Sequence, residues 1–269
     1  MVKHKSLTLI VFFSIFGFLV LTIIPFIMSL IWPQPSDSHV TLKAMLIDTV
    51  CISKPNEKLL SNITKFLKSR GFEVDIYRGK NVTVSLMRKL TNDYKLIILR
   101  VHSSYTHFSR MFLPNNTVII ITGERYVKNK YFKEQALELL VPSTVIPELR
   151  LALGYFAITP RFINSLNGSF NNAIIIAMGC NTLYTVSMAK AFINKGARVY
   201  IGWDNYVSAE HMDRALNLLL KLLLIDKMTV KSAVEKVNEE IGVDPIYKAR
   251  LVYYPLHSGN INIDQITKP

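Results

Sequence analysis

The chain has 269 residues, half of them hydrophobic, and carries a net charge of +13. Its length suits one α/β domain with a full core and is short for two. The Lys and Arg residues form no dense block with interleaved aromatics, which argues against a nucleic-acid partner. Two cysteines without Cys-x-x-Cys or His-Glu-x-x-His argue against a metal centre.

The first element is an apolar run. No charged residue occurs from Ser6 to Ser36, and Leu7 to Trp32 is almost wholly apolar. A run of ~20 apolar residues crosses a bilayer as a helix. A cleaved signal peptide would have a shorter apolar core of about 7–15 residues and a small-x-small site, so the pattern predicts an uncleaved anchor. Lys3 and Lys5 precede the run, whereas Asp37 is the first charge after it. The positive-inside rule then places residues 1–6 in the cytoplasm, the span at 7–32 in the lipid bilayer, and a linker at 33–40 outside. Residues 41–269 are the expected extracellular domain, in a single-pass membrane protein. Four Asn-x-Ser/Thr sequons, at Asn62, Asn81, Asn115 and Asn167, are candidate glycan sites near predicted loops or helix flanks.

Beyond the linker, strand and helix signals alternate. Leu42 to Val50 reads as a buried strand, and Asn56 as the cap of a helix to Arg70 that Gly71 ends. A strand at Glu73 to Tyr77 and a short helix at Val84 to Leu90 follow. Tyr94 to Val101 is a strongly apolar strand, and Thr117 to Thr122 another. In the harder stretch 124–165 a helix is expected around Tyr131 to Leu140. Ala173 to Met178 is the second strongly apolar strand. Then come a helix at Leu183 to Asn194, a strand at Val199 to Ile201, a helix capped by Ser208 and running to Leu224, a helix at Val230 to Ile241, and a strand at Leu251 to Tyr254. This alternation predicts a mainly parallel central sheet flanked by helices on both faces.

Function in such sheets gathers beyond the carboxyl ends of the strands. His102 directly follows one strongly apolar strand, and Cys180 closely follows the other. A thiolate nucleophile paired with an imidazole base is the chemistry these two residue types supply. The bland alternatives are a hydrogen-bonded loop histidine and a small core cysteine. A nucleotide-binding domain has no support, because neither Gly-x-Gly-x-x-Gly nor a Walker-type loop is present.

Three stretches, LIILRVHS, AIIIAMGC and KGARVYIGWDNYVS, stand in the order of the caspase-like cysteine peptidases. The chain resembles that clan, which includes gingipains, clostripain, separase and the CHAT group, and the Gly202-Trp203-Asp204 segment is similar to separase and CHAT sequences. The resemblance implies a caspase-like α/β sandwich with His102 and Cys180 as the catalytic dyad. It implies an oxyanion site at the backbone N–H groups of Ser103 and Cys180, and substrate contacts from Trp203 and Asp204. Ser103 stands where the family usually has Gly, and a Cβ there restricts the backbone. The implied activity is hydrolysis of peptide or protein substrates, after Arg in preference to Lys, with neither cofactor nor metal. Asp204 serves equally well as a turn residue. A catalytically inactive binding or sensing module is the alternative. The oligomeric state is left open, as is a disulfide between Cys51 and Cys180, which an extracellular setting permits.

Overall fold

Alternate burial on two helix-covered faces organises the domain. The computed structural model describes residues 42–106, 109–143 and 154–267. These all fall in one unit, Thr41–Pro269. The expected span at 7–32, its cytoplasmic flank at 1–6 and the linker at 33–40 lie outside the described residues. Among the described residues no helix is long and apolar enough to cross a membrane.

The elements in chain order are β1 (Lys43–Asp48), α1 (Glu57–Ser69), β2 (Glu73–Arg78), α2 (Val84–Met87), β3 (Tyr94–Arg100), β4 (Ser103–Tyr105), β5 (Val118–Arg125), α3 (Phe132–Ala136), β6 (Leu140–Ser143), β7 (Tyr155–Ile158) and α4 (Pro160–Asn164). They continue with β8 (Ile174–Met178), α5 (Ser187–Asn194), β9 (Val199–Trp203), α6 (Ala209–Leu220), α7 (Val230–Glu240), β10 (Leu251–Tyr254) and α8 (Ile263–Thr267). A six-stranded sheet has the order β10-β9-β8-β3-β1-β2. Its pairs are parallel except β10 with β9, which is antiparallel.

Successive side chains on β3 serve opposite faces, as the two-residue period requires. Leu96 and Ile98 join the apolar layer made with α1, α6 and α7, which contribute Ile63, Leu216 and Val234 among others. Ile97, Leu99 and Val101 join the opposite layer, made with α2, α4 and α5 through Met87, Phe162 and Phe192. Both faces being covered explains why β3 and β8 read as continuous apolar runs. The helices are specified locally as well. Asn56 Oδ1 accepts the Leu59 N–H at 3.0 Å, α1 buries Leu59, Ile63 and Leu67 on one stripe, and Gly71 beyond its end has φ of +78°.

Some elements differ from the sequence reading. Ser208 precedes α6, but its hydroxyl and N–H both donate to Asp244 Oδ2, at 2.7 and 2.9 Å, so it makes no side-chain cap. The expected helix from Leu183 starts only at Ser187, because residues 181–184 form a turn. The helix expected at Tyr131 to Leu140 is cut to Phe132–Ala136. Leu140 begins β6, which with β7 belongs to a second sheet, four-stranded and antiparallel, of order β4-β5-β7-β6. Val118, Ile120, Phe156 and Ile158 press one of its faces onto the main core, while Ile119, Ile121 and Ala157 fill a small cluster on the other.

Candidate active site

Strand register brings the two candidate catalytic residues to one level. Arg100 of β3 is the parallel partner of Met178 of β8, and the Val101 N–H continues the ladder to the Met178 carbonyl at 2.8 Å. His102 and Cys180 each lie two residues past that pair. Both lie just beyond the ends of their strands, and Cys180 packs against the layer that holds Ile98 and Ile176. The strand order turns back between β1 and β3, so His102, at the end of β3, borders the switch point where α/β sheets place their ligands, while Cys180 lies one strand further on.

Close backbone approach shapes the turn that carries Cys180. A Cβ on Gly179 would lie 2.4 Å from the Val101 carbonyl oxygen and 2.5 Å from Ser103 Oγ, so only glycine fits. Ser103 is buried, and its hydroxyl donates to the Cys180 carbonyl at 2.5 Å. Ser103 does not have positive φ, so its Cβ meets no backbone strain, contrary to the concern raised by its substitution for Gly. The Ile121 N–H donates to the His102 carbonyl at 2.9 Å. Ser103, next along the ladder and opposite Ile120, is therefore in a non-hydrogen-bonded pair, and its own N–H turns away from β5. Asn181 follows with φ of +58° and no exposure, and neither its Oδ1 nor its Nδ2 has a hydrogen-bond partner.

The imidazole and the thiol are each held by another group. His102 Nε2 lies 3.1 Å from Ser53 Oγ, and Cys180 Sγ lies 3.5 Å from the Val207 carbonyl. No hydrogen bond joins His102 to Cys180. Burial pushes the His102 pKa below its ordinary value, with the Arg100 charge acting in the same direction. Burial also pushes the Cys180 thiol up, and the Asp244 carboxylate adds to that. Both effects favour neutral thiol beside neutral imidazole over an ion pair.

Beneath His102 lies a buried charge network. The Arg100 Nε and Nη2 donate to the two carboxylate oxygens of Asp213 at 2.7 and 2.8 Å, and Nη1 donates to Asp48 Oδ1 at 2.8 Å. Arg100 Nη2 also reaches the Lys54 carbonyl at 2.9 Å, while Asp48 Oδ1 accepts the Cys51 N–H at 2.9 Å. The loop bearing Ser53 is thus fixed at both ends by the network. Bidentate pairing of this kind is strong and geometrically specific.

The other expected site residues divide. Trp203 is only 1% exposed, its Nε1–H donates to Met178 Sδ at 3.3 Å, and its ring meets His211 edge-on. No face of that ring is open to a substrate, so Trp203 is a core residue, and its expected role as a pocket wall is corrected. Asp204 Oδ1 accepts the Arg250 N–H at 2.7 Å, which extends the β9–β10 pairing. Cys51 and Cys180 are both free thiols. Cys51 Sγ donates to the Asp48 carbonyl at 3.1 Å and faces Gly79. Asn81, Asn115 and Asn167 are exposed, whereas Asn62 lies within α1 and donates its amide to Asn217 Oδ1 at 3.0 Å. Among the described residues no group of His, Cys, Asp and Glu is arranged to hold a metal ion.

Ser53, Arg100, Asp213 and a row of tyrosines beside Cys180 are the site residues that the sequence does not reveal. Only Arg100 has a local signal, as a charge inside an otherwise apolar strand. No protein-family model matches the chain, and no curated protein matches it.

Proposed function

We propose that the domain is a caspase-like cysteine endopeptidase, anchored in a membrane by residues 7–32 and acting outside the cell. The observation that carries the proposal is the register of β3 and β8, which puts His102 and Cys180 each two residues beyond one paired strand end. The mainly parallel sheet, with these strands adjacent, agrees with the resemblance to that clan.

In this reading His102 leaves Ser53 and takes the Cys180 proton. The thiolate attacks the scissile carbonyl carbon, and the N–H groups of Ser103 and Cys180 hold the oxyanion. His102 then delivers its proton to the departing amine, and the peptide C–N bond breaks to leave a thioester. Water, deprotonated by His102, hydrolyses the thioester and restores the thiol. Asp204 directs cleavage after Arg, through a carboxylate at the end of β9. The test is peptide hydrolysis by Cys180→Ala and by His102→Ala. Each variant abolishes turnover with nearly unchanged thermal unfolding, and full activity in either removes the proposal.

A second reading is a non-catalytic binding or sensing module. It is favoured by the separate engagement of His102 with Ser53 and of Cys180 with Val207. A thiol-reactive probe separates the two, because a peptidase loses Cys180 labelling rate on His102→Ala and an inert module does not. The topology is tested by protease added to intact cells, which cuts a domain outside the cell and spares one in the cytoplasm.

A further inference from the structure

Four tyrosines form a row beside Cys180. Tyr184 comes from the turn after Cys180, Tyr105 from β4, Tyr206 from the loop after β9, and Tyr247 from the loop before β10. Tyr184 and Tyr105 stack with ring centroids 4.8 Å apart, Tyr105 and Tyr206 are 6.4 Å apart, and Tyr206 and Tyr247 are 5.9 Å apart. The row therefore draws together four segments that are distant in sequence.

The row has a polar, anchored centre and open ends. Tyr206 lies against the Tyr105 ring, next in sequence to Val207, whose carbonyl accepts from the Cys180 thiol at 3.5 Å, and burial pushes its phenol pKa up. Asn205 Nδ2 donates to the Tyr247 carbonyl at 2.8 Å, and Asp244 Oδ1 accepts the Tyr247 N–H at 2.7 Å, which ties the two loops together. Tyr184 is 46% exposed and Tyr247 is 45% exposed, and Ile246 beside it is more open still. Half-exposed aromatic side chains grouped at a surface suit a contact site, and tyrosine supplies apolar area with few rotamers to order.

We infer that this row is the surface that grips the substrate chain on either side of the scissile bond, and that its ligand is an extended peptide carrying Phe, Tyr, Trp or Pro at alternate positions. The inference rests on the peptidase reading for its link to cleavage. Continuity with Cys180 identifies the occupant, since the loop that carries Tyr206 is bonded to the Cys180 turn, the Val207 carbonyl accepting from the thiol at 3.5 Å and the Asn205 carbonyl from the Asn181 N–H at 2.9 Å. Spacing identifies its conformation. An extended chain presents same-face side chains every ~6.8 Å, which the Tyr105–Tyr206 and Tyr206–Tyr247 steps of 6.4 and 5.9 Å approach, whereas Tyr184 stacks on Tyr105 at 4.8 Å and caps the row. Offset ring stacking accounts for the choice of side chain.

The experiment measures binding of labelled decapeptides to the full chain in detergent, in a Cys180→Ala background that cannot turn over. One peptide carries Phe and Pro at alternate positions, and the other carries Ser there. The ring-bearing peptide is expected to bind about tenfold more tightly, and Tyr184→Ser with Tyr247→Ser to remove most of that difference. Both substitutions are at exposed rings, and a thermal melt checks the fold. Equal binding of the two peptides, or an unchanged difference in the Tyr variants, overturns the inference. In the active chain the same variants raise KM with kcat nearly unchanged. Hydrolysis with an unaltered KM rejects the row and leaves the peptidase reading standing. Ring-dependent binding without hydrolysis by the wild type rejects the peptidase reading and leaves the row as a binding surface.

Discussion

The Ser103 hydroxyl donates to the Cys180 main-chain carbonyl at 2.5 Å, joining the segment that carries His102 to the turn that carries the thiol. The contact crosses from one strand end to its neighbour and fills the space that Gly179 leaves by lacking a Cβ. In the proposed peptidase reading Ser103 is thus a positioning residue, with a hydroxyl contact that a glycine there would lack.

Removing that hydroxyl tests the role. Ser103→Ala leaves a buried carbonyl without its donor and is expected to cost about 1–2 kcal/mol in stability. Hydrolysis and Cys180 alkylation both fall, while Ser103→Thr retains the bond and recovers part of each. Urea unfolding and an alkylation time course measure the two effects.

Gly179→Ala is expected to be more damaging. Its Cβ meets the Val101 carbonyl oxygen and Ser103 Oγ, within a buried corner that has little room to shift. Overpacking of this kind costs about 1–3 kcal/mol. Combining Gly179→Ala with Ser103→Ala removes one of the two obstacles, so the double variant loses less than the sum of the singles.

The buried network predicts an asymmetry between its members. Arg100→Met leaves Asp213 without its guanidinium and Asp48 with only the longer contact to Arg78 at 3.8 Å, and is expected to cost about 3–5 kcal/mol. Asp213→Asn keeps a hydrogen-bond acceptor for the guanidinium and costs less. Denaturant unfolding of both variants gives the comparison, and equal losses contradict it.

Two pH dependences follow from burial. His102 and His211 both have pKa values below the ordinary one, first because of desolvation. Each then binds fewer protons folded than unfolded. Stability is complete above the unfolded value of about 6.5 and falls as pH drops from there towards the folded pKa. Melting at pH 7.5 and 5.5 measures this, and His102→Gln with His211→Gln narrows the difference. Cys180, pushed up, is expected to react with iodoacetamide mainly above the ordinary thiol value of about 8.5, with no plateau near neutrality.

Glycan attachment in a glycosylating host is expected at one or more of Asn81, Asn115 and Asn167, which are exposed, and not at Asn62, whose amide nitrogen is committed to Asn217. Mobility shifts for the four Asn→Gln variants check this. A shift lost with Asn62→Gln alone shows that α1 is modified before it docks on α6.

Sequence by itself determined the alternation of strands and helices, since β3 and β8 are buried on both faces and are therefore written almost wholly in apolar residues, Arg100 being the buried exception. It also singled out His102 and Cys180, because a reactive side chain within two residues of the end of such a strand stands out. The antiparallel sheet is not legible because β4, β6 and β7 are three or four residues long, too short for a two-residue period to show. Trp203 reads as a pocket residue because a Gly-Trp-Asp segment looks alike whether its ring faces a pocket or the core. Only the tertiary structure decided that, and only it joined Arg100 to Asp213 and Ser53 to His102. Those partners lie 113 and 49 residues apart, and pairing at such a distance is set by strand order and register, which no local pattern records.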